Sequence, residues 1–333
     1  MKVAVDIGYG FTKAVSSSGG KVCFPSAVAP VPLDLLAGAL GRQGPGHRLR
    51  VRYLSGKVGE RVVGEAALRG TAAVTTLNRE KPEDLHDWCL LAAVYLAGGG
   101  GAGQFPEPVD LAVGLPLAYY RSQRDALRER LLRLRAWVSV DGGEERCVSF
   151  SRVLVLPQGA GAVAAFPDLL PPSGLVGVVD VGEYTTDYLV LEARGRGEFV
   201  PLLRACGSAE VGAHLVREAV AAAYLEKTGA TLPRNLVAAA VREGRAPFRG
   251  KEVDLSAEVE LALRDAARAV AQAVLSAWKE LADALSATVL AGGGSLLLGR
   301  SLFPSFPGAR LLPDPVFANA LGFLRALGQG EGR

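Results

Sequence analysis

Residues 3–13 read VAVDIGYGFTK. An alternating apolar run ends on a carboxylate at Asp6, glycines follow at Gly8 and Gly10, and Lys13 closes the stretch. A strand that only paired in a sheet would need neither the acid nor the glycines at its tip. Glycine lets the backbone approach a ligand with no Cβ in the way. Successive N–H groups in a tight turn after a strand can each meet one oxygen of a phosphate.

The design recurs. Residues 175–193, LVGVVDVGEYTTDYLVLEA, again carry an apolar strand, an acid at its tip (Asp180), a glycine two residues on (Gly182) and a second strand. A third glycine turn, Gly292-Gly293-Gly294, follows the apolar run that begins ATVLAGGG at 287. A carboxylate beside a phosphate turn repels the phosphate unless a cation lies between them. Asp6 and Asp180 therefore make sense as a pair holding Mg²⁺ through its waters, because Mg²⁺ keeps much of its hydration shell. Lys13 would serve as a point charge toward the phosphates. Any one D-x-G turn is more often a hairpin corner; two, with a third glycine turn after them, point to a phosphate clamp.

Around these turns the chain alternates strands with helices, which argues for an α/β architecture. Apolar residues at Leu85, Trp88, Leu91, Ala92 and Tyr95 recur at helical spacing over 83–97, and the GGGGAGQ run at 98–104 ends that helix in a loop. A buried strand at 110–116 precedes an amphipathic helix over 121–135, a hairpin over 137–150 and a strand at 152–159. PDLLPPSG at 167–174 reads as a linker between halves. Helical periodicity covers 208–228, 256–286 and 319–327, and GQGEGR is a frayed tail. The three tryptophans, Trp88, Trp137 and Trp278, fall on apolar faces and read as core, and His214 as a helix residue near the cleft wall.

The 333 residues suffice for two cores, and 37 basic against 34 acidic residues give a net charge of +3. No strong pull toward nucleic acid or membrane is expected from that balance. The most apolar long stretch, 159–182, is interrupted by Pro167, Asp168, Pro171 and Pro172 and is not a membrane span. Cys23, Cys89, Cys147 and Cys206 show no metal-ligand spacing and read as reduced thiols of a cytoplasmic protein with no signal peptide.

D-x-G-x-x-x-x-K at 6–13 resembles the first phosphate loop of the ATPase superfamily that holds actin, heat-shock chaperones and sugar kinases. DVGEYTTD at 180–187 resembles its second phosphate loop, and LAGGGSLLLG at 290–299 its adenosine motif. CFPSAVAP at 23–30, VGEAAL at 63–68, VGLPLAYY at 113–120 and PDPVFANALGF at 313–323 resemble the ParM-like bacterial and archaeal actin homologues. The resemblance implies an actin-like fold of two related, RNase H-like α/β domains around a nucleotide cleft. It divides the chain into 1–156 plus 313–333 and 157–312. It implies ATP/ADP and Mg²⁺ as cofactors, with Asp6 and Asp180 at the metal. Gly8, Tyr9, Gly10, Thr12, Lys13, Gly182, Glu183, Tyr184, Thr185 and Thr186 fall at the phosphates, and Gly292, Gly293 and Gly294 beside the adenosine. Glu183 falls near the ribose, and Glu210 and Lys227 where actins contact adenine and ribose, although solvated helix charges explain the last two equally well.

In the same way Gln158, at the crossover PQG, matches the residue that orients the attacking water, and Asp187 is either a second partner of that water or a hairpin residue. Tyr9 and Tyr184 stand where smaller residues are usual and would have to turn outward. The function implied is an ATPase that assembles into filaments when ATP-bound and loosens them on hydrolysis as the angle between domains changes. Plasmid or DNA segregation through an adaptor protein is its typical use. The alternatives are a small-molecule kinase on the same fold, against which Gln158 replaces an aspartate base, and a nucleotide-dependent scaffold.

Overall fold

The computed structural model describes residues 1–31, 46–68, 74–75, 83–103, 106–195 and 197–329. Gln104 of the glycine loop and the tail from residue 330 lie outside them. The chain forms two compact units, Met1–Ala165 with Phe317–Arg333, and Phe166–Val316. The breaks fall later along the chain than the boundaries at 156 and 312, so Gln158 and the helix after it belong to the first unit.

In the first unit the strands are β1 (Lys2–Ile7), β2 (Phe11–Ser16), β3 (Lys21–Pro25), β4 (Ala27–Pro30), β5 (His47–Tyr53), β6 (Val58–Val63), β7 (Val74–Thr75), β8 (Val109–Leu115), β9 (Arg135–Val140) and β10 (Arg146–Pro157). Among the described residues they make one sheet in the order β3-β2-β1-β8-β10-β9-β5-β6-β4-β7. β1 runs parallel to β8 and β8 to β10, which sets the carboxyl ends of β1, β8 and β10 side by side. The hairpin expected over 137–150 and the strand expected at 152–159 share one long strand, β10. Its first half pairs with β9 and its second with β8, across a register shift between Phe150 and Arg152.

The second unit contains β11 (Ser173–Val181), β12 (Thr186–Arg194), β13 (Phe199–Pro201), β14 (Gly207–Ala209), β15 (Arg245–Phe248), β16 (Lys251–Asp254), β17 (Leu285–Ala291) and β18 (Arg310–Leu311). Its main sheet runs β13-β12-β11-β17-β18, with β14 also on β12; β15 and β16 form a separate hairpin. β13, β12 and β11 are antiparallel neighbours, and β17 and β18 follow in parallel. β3, β2, β1, β8 and β10 repeat that pattern, so the two D-x-G hairpins occupy the same place in two like topologies.

Helices cover both faces of the first sheet. Glu83–Leu96 packs Leu85, Trp88, Leu91 and Val94 into a core with Val3, Val5, Val113 and Val155. The C-terminal helix Ala318–Gln329 packs Ala320, Phe323 and Leu327 on the other face against Ala4, Val15 and Ala112. Burial on both faces is what the continuous apolar runs of the parallel strands encode. In the second unit the helices His214–Thr228 and Ser256–Trp278 cover β11, β12 and β17 through Val216, Val220, Val270 and Val274.

Several helix limits differ from the periodicity. Residues 207–209 are a strand on β12 rather than helix, and the long helix stops at Trp278, where Lys279 takes φ of 50°. Strand pairing and a left-handed residue override an apolar period that continues past both points. The helix expected from 121 starts at Leu117, directly after Pro116, whose fixed φ suits a helix entry. Trp88 and Trp278 are buried, whereas Trp137 is half-buried, with the guanidinium groups of Arg52 and Arg135 at 4.4 and 5.6 Å from its ring. Arginine planes cover it where apolar neighbours were expected.

Two contacts test this packing. The helix Ala160–Ala165 meets the C-terminal helix backbone to backbone: a Cβ on Gly322 would overlap the Gly161 carbonyl. Gly322→Ala should lower unfolding free energy by about 2–3 kcal/mol in chemical denaturation, as overpacking does. Gly299 sits in the helix Gly293–Leu302 with open space at its Cβ position, so Gly299→Ala should raise stability by about 0.5–1 kcal/mol. Between Glu83–Leu96 and Leu117–Arg133, Arg130 Nη1 donates to Asp87 Oδ1 at 2.5 Å. Burial works against the Asp87 charge, but hydrogen bonds from His86 and Arg130 and their charges outweigh it and hold its carboxyl below the usual range. That stability is present above the unfolded carboxylate value of about 3.9 and lost as pH falls through the lower folded value. Asp87→Asn should flatten the fall in denaturation midpoint below pH of about 4.

Candidate functional site

Each D-x-G hairpin closes through the same four-residue turn. The Gly8 amide donates to the Phe11 carbonyl at 3.0 Å, and the Gly182 amide to the Thr185 carbonyl at 2.8 Å. A Cβ at Gly8 or Gly182 would lie 2.9 Å from that same carbonyl, so turns this tight require glycine at their first position. The β1–β2 register sets Asp6 opposite Lys13, and the β11–β12 register sets Asp180 opposite Asp187.

In the first unit Asp6 is 3% exposed, so its charge must be met within the protein. Lys13 Nζ lies 3.3 Å from Asp6 Oδ2, and Gln158 Nε2 donates to Asp6 Oδ1 at 2.6 Å. A carboxylate only accepts, which assigns the Gln158 amide nitrogen to Asp6 and leaves its Oε1 as the atom able to accept from a further donor. Ser26 braces the turn: its hydroxyl donates to the Gly8 carbonyl at 2.8 Å and its amide to the Gly10 carbonyl at 2.9 Å. Thr12 is fully buried and bonded to Ser26 Oγ at 2.9 Å, so its hydroxyl is structural. Tyr9 forms part of the wall of a cavity of about 270 Å³ within this unit, with Glu83, His86, Pro116, Tyr119 and Arg130.

The second unit brings its two glycine turns together. Gly292, at φ of 82°, has no room for a Cβ, which would strike the Asp180 carboxylate and the Val181 carbonyl. A Cβ on Gly294 would lie 2.6 Å from Val181 Cγ1, whereas Gly293 faces open space. Packing therefore demands Gly292 and Gly294, and Gly293 leaves the surface at the turn open. From another side, the Ala213 and His214 amides donate to the Gly182 and Glu183 carbonyls at 3.1 and 2.8 Å. Gly212 permits that approach, since its Cβ would lie 2.6 Å from the Glu183 carbonyl.

Side chains here have partners within their own unit. Glu183 is ion-paired with Arg217 on the helix His214–Thr228. Tyr184 stacks on His214 with ring centroids 4.9 Å apart, and burial, with the Glu183 and Glu218 charges, pushes its phenol pKa up. Thr186 is fully buried and donates to the Val211 carbonyl at 2.8 Å, and Asp187 accepts from Ser208; both bonds tie β12 to the segment that carries β14. Thr185 is half-buried in the turn itself, and Glu210 is exposed on the bend after β14. Lys227 pairs with Glu258 at 2.7 Å and donates to the Asp254 carbonyl at 2.8 Å. It lies 13 residues along the helix from His214, about 20 Å at 1.5 Å per residue, so it is not gathered with the turns.

Ser26, Gly212 and Asn319 were not among the expected site residues. Asn319 Oδ1 accepts the amide of Gly159, the residue after Gln158, at 2.9 Å. Ser26 and Asn319 left a trace in the sequence, within CFPSAVAP and PDPVFANALGF, and Gly212 left none. The four cysteines are free thiols, and among the described residues no helix is long and apolar enough to cross a membrane.

Residues 4–161 match the family model for the N-terminal domain of actin-like proteins, and residues 178–303 match that for the C-terminal part of archaeal, MreB-like actin homologues. Archaeal actin homologues of Thermoplasma acidophilum and Thermoplasma volcanium are 26% and 25% identical to this chain over 331 residues, covering 96% of it and 97% of each relative. The fold is similar to that of a ParM in a 15-stranded filament from Clostridium botulinum, with a TM-score of 0.86, 23% identity, and coverage of 98% and 99%. It is also similar to an archaeal actin homologue in complex with ADP, with a TM-score of 0.79, 24% identity, and coverage of 98% and 99%. Two like α/β units, each with a glycine-closed D-x-G hairpin, accompany family matches over both of them, and the chain belongs to the actin-like proteins.

Proposed function

We propose that the chain binds ATP with Mg²⁺, hydrolyses it and assembles into filaments of its own copies. The observation that carries this reading is the buried hydrogen bond from Gln158 Nε2 to Asp6 Oδ1 beside the glycine turn. With its nitrogen committed, Gln158 offers Oε1 to a water proton and so turns the water's lone pair toward a phosphorus atom; orientation of this kind needs no strong base. Lys13 and the glycine turns would receive the phosphates. Gly293, with open space at its Cβ position, would lie beside the adenosine.

Mg²⁺ binds through one or two carboxylates, phosphate oxygens and several waters rather than in an all-protein cage. By the resemblance Asp6 and Asp180 would each offer one carboxylate, and both are buried acids at the tip of a glycine-closed hairpin. When bound, Mg²⁺ would neutralise charge on the phosphates. Filament assembly is supported by the similarity to a ParM solved as a filament, and nucleotide binding by the similarity to an ADP-bound homologue. Free thiols support a cytoplasmic setting, and the net charge of +3 supports DNA segregation through a separate adaptor rather than direct contact.

Pelleting and light scattering with ATP, ADP and a non-hydrolysable analogue, beside phosphate release, test the reading. ATP-dependent assembly at micromolar protein is expected; its absence would remove the filament reading, and phosphate release that required an added sugar would favour a kinase. Gln158→Ala should retain nucleotide and slow hydrolysis roughly 10- to 100-fold. Asp6→Ala should weaken Mg²⁺-ATP binding itself, so an unaltered affinity in a titration would count against its metal role.

A further inference from the structure

The turn that carries Gln158 is held from three directions within the first unit. The Gln158 amide donates to the Leu115 carbonyl at 2.8 Å, its side chain donates to Asp6, and the next amide, of Gly159, donates to Asn319 Oδ1 at 2.9 Å. Asn319 lies on the C-terminal helix, 160 residues away in sequence, and is 8% exposed. Water therefore has little access to replace it as the acceptor. Gly159 has φ of 81°, so the chain reverses there, and the Gln158–Gly159 peptide is part of the backbone that holds the Gln158 side chain in place.

A second residue of the same helix acts at the same place. Phe323, four residues after Asn319 and so on the same helix face, is fully buried. A Cβ on Gly114 would lie 2.7 Å from the Phe323 ring and 3.2 Å from Gln158 Cγ, so Gly114 lets both side chains close over β8. A Cβ on Gly161 would likewise lie 2.8 Å from Asn319 Cα. The C-terminal helix thus grips the crossover turn by one directed hydrogen bond and by close packing on both sides of it.

We propose that Asn319 is a positioning residue for hydrolysis: through the Gly159 amide it sets the aim of Gln158, and so makes the seating of the C-terminal helix a determinant of turnover. This rests on the hydrolytic role of Gln158. Losing the Oδ1 acceptor frees the peptide plane to rotate, which moves Gln158 Oε1 without touching the glycine turns. The rate should suffer and nucleotide affinity should not.

Phosphate release and fluorescent-nucleotide titration on the full chain separate the outcomes. Asn319→Ala should lower kcat roughly tenfold and leave nucleotide Kd within about twofold. Asn319→Asp keeps an oxygen at the acceptor position and should return kcat to within about threefold of the parent. In a Gln158→Ala background, Asn319→Ala should cause no further loss, because the two substitutions break one linkage. Full turnover in Asn319→Ala while Gln158→Ala is slow would overturn the proposal and leave the hydrolytic reading standing. So would equal losses in both backgrounds, failure of Asn319→Asp to rescue, or a loss of affinity matching the loss of rate. No ATP turnover by the parent chain would overturn the hydrolytic reading, and this proposal with it.

Discussion

A hydrogen bond of 2.6 Å, buried, joins Gln158 to Asp6 across 152 residues of chain. It exists because β1, β8 and β10 are parallel neighbours, so the carboxyl ends of β1 and β10 lie one strand apart. Asp6 cannot be left with an unmet charge at that depth, and Lys13 and Gln158 meet it from two sides. The polar tip of the first strand, the turn after β10 and the C-terminal helix behind that turn are thereby one connected piece of structure. The position of a site residue in this unit is a consequence of sheet order before it is a matter of local sequence.

The two hairpins solve one geometric problem with different supports. Both close by an amide-to-carbonyl bond from a glycine to the third residue after it, and both carry an acid at the strand tip. The first is braced by a serine from β3's continuation, whose hydroxyl and amide take the Gly8 and Gly10 carbonyls. The second is braced by the start of a helix, whose amides take the Gly182 and Glu183 carbonyls, and by Gly292 and Gly294 pressed against it. Close packing by itself requires glycine at Gly8, Gly182, Gly292 and Gly294, where a Cβ would meet a neighbouring atom at under 3 Å. Of the three glycines from 292 to 294, two are fixed by packing and one faces open space.

The bulky residues at the turns are accommodated by specific neighbours. Tyr184 stacks on His214, and Tyr9 enters the wall of a cavity beside His86 and Arg130. Each ring has a place that the four-residue turn alone does not reveal. Glu183 and Lys227 are held in turn by Arg217 and Glu258. A charged residue's partner is set by whichever opposite charge the packing brings within reach, and that charge is often far along the chain.

Much of this protein was legible in the sequence because local chemistry is local. A D-x-G tip, a glycine run after an apolar strand and a helical apolar period are each written within about a dozen residues, and their repetition implied two like halves. What the chain does not write down is which distant groups complete each piece. The end of the long helix at Trp278, the strand at 207–209, the burial of the Thr12 and Thr186 hydroxyls and the grip of Asn319 on Gly159 all follow from contacts made only on folding. Backbone conformation at a turn depends on the residues in it. The satisfaction of a buried polar group depends on whatever the tertiary structure sets within about 3 Å, and no local pattern records that distance.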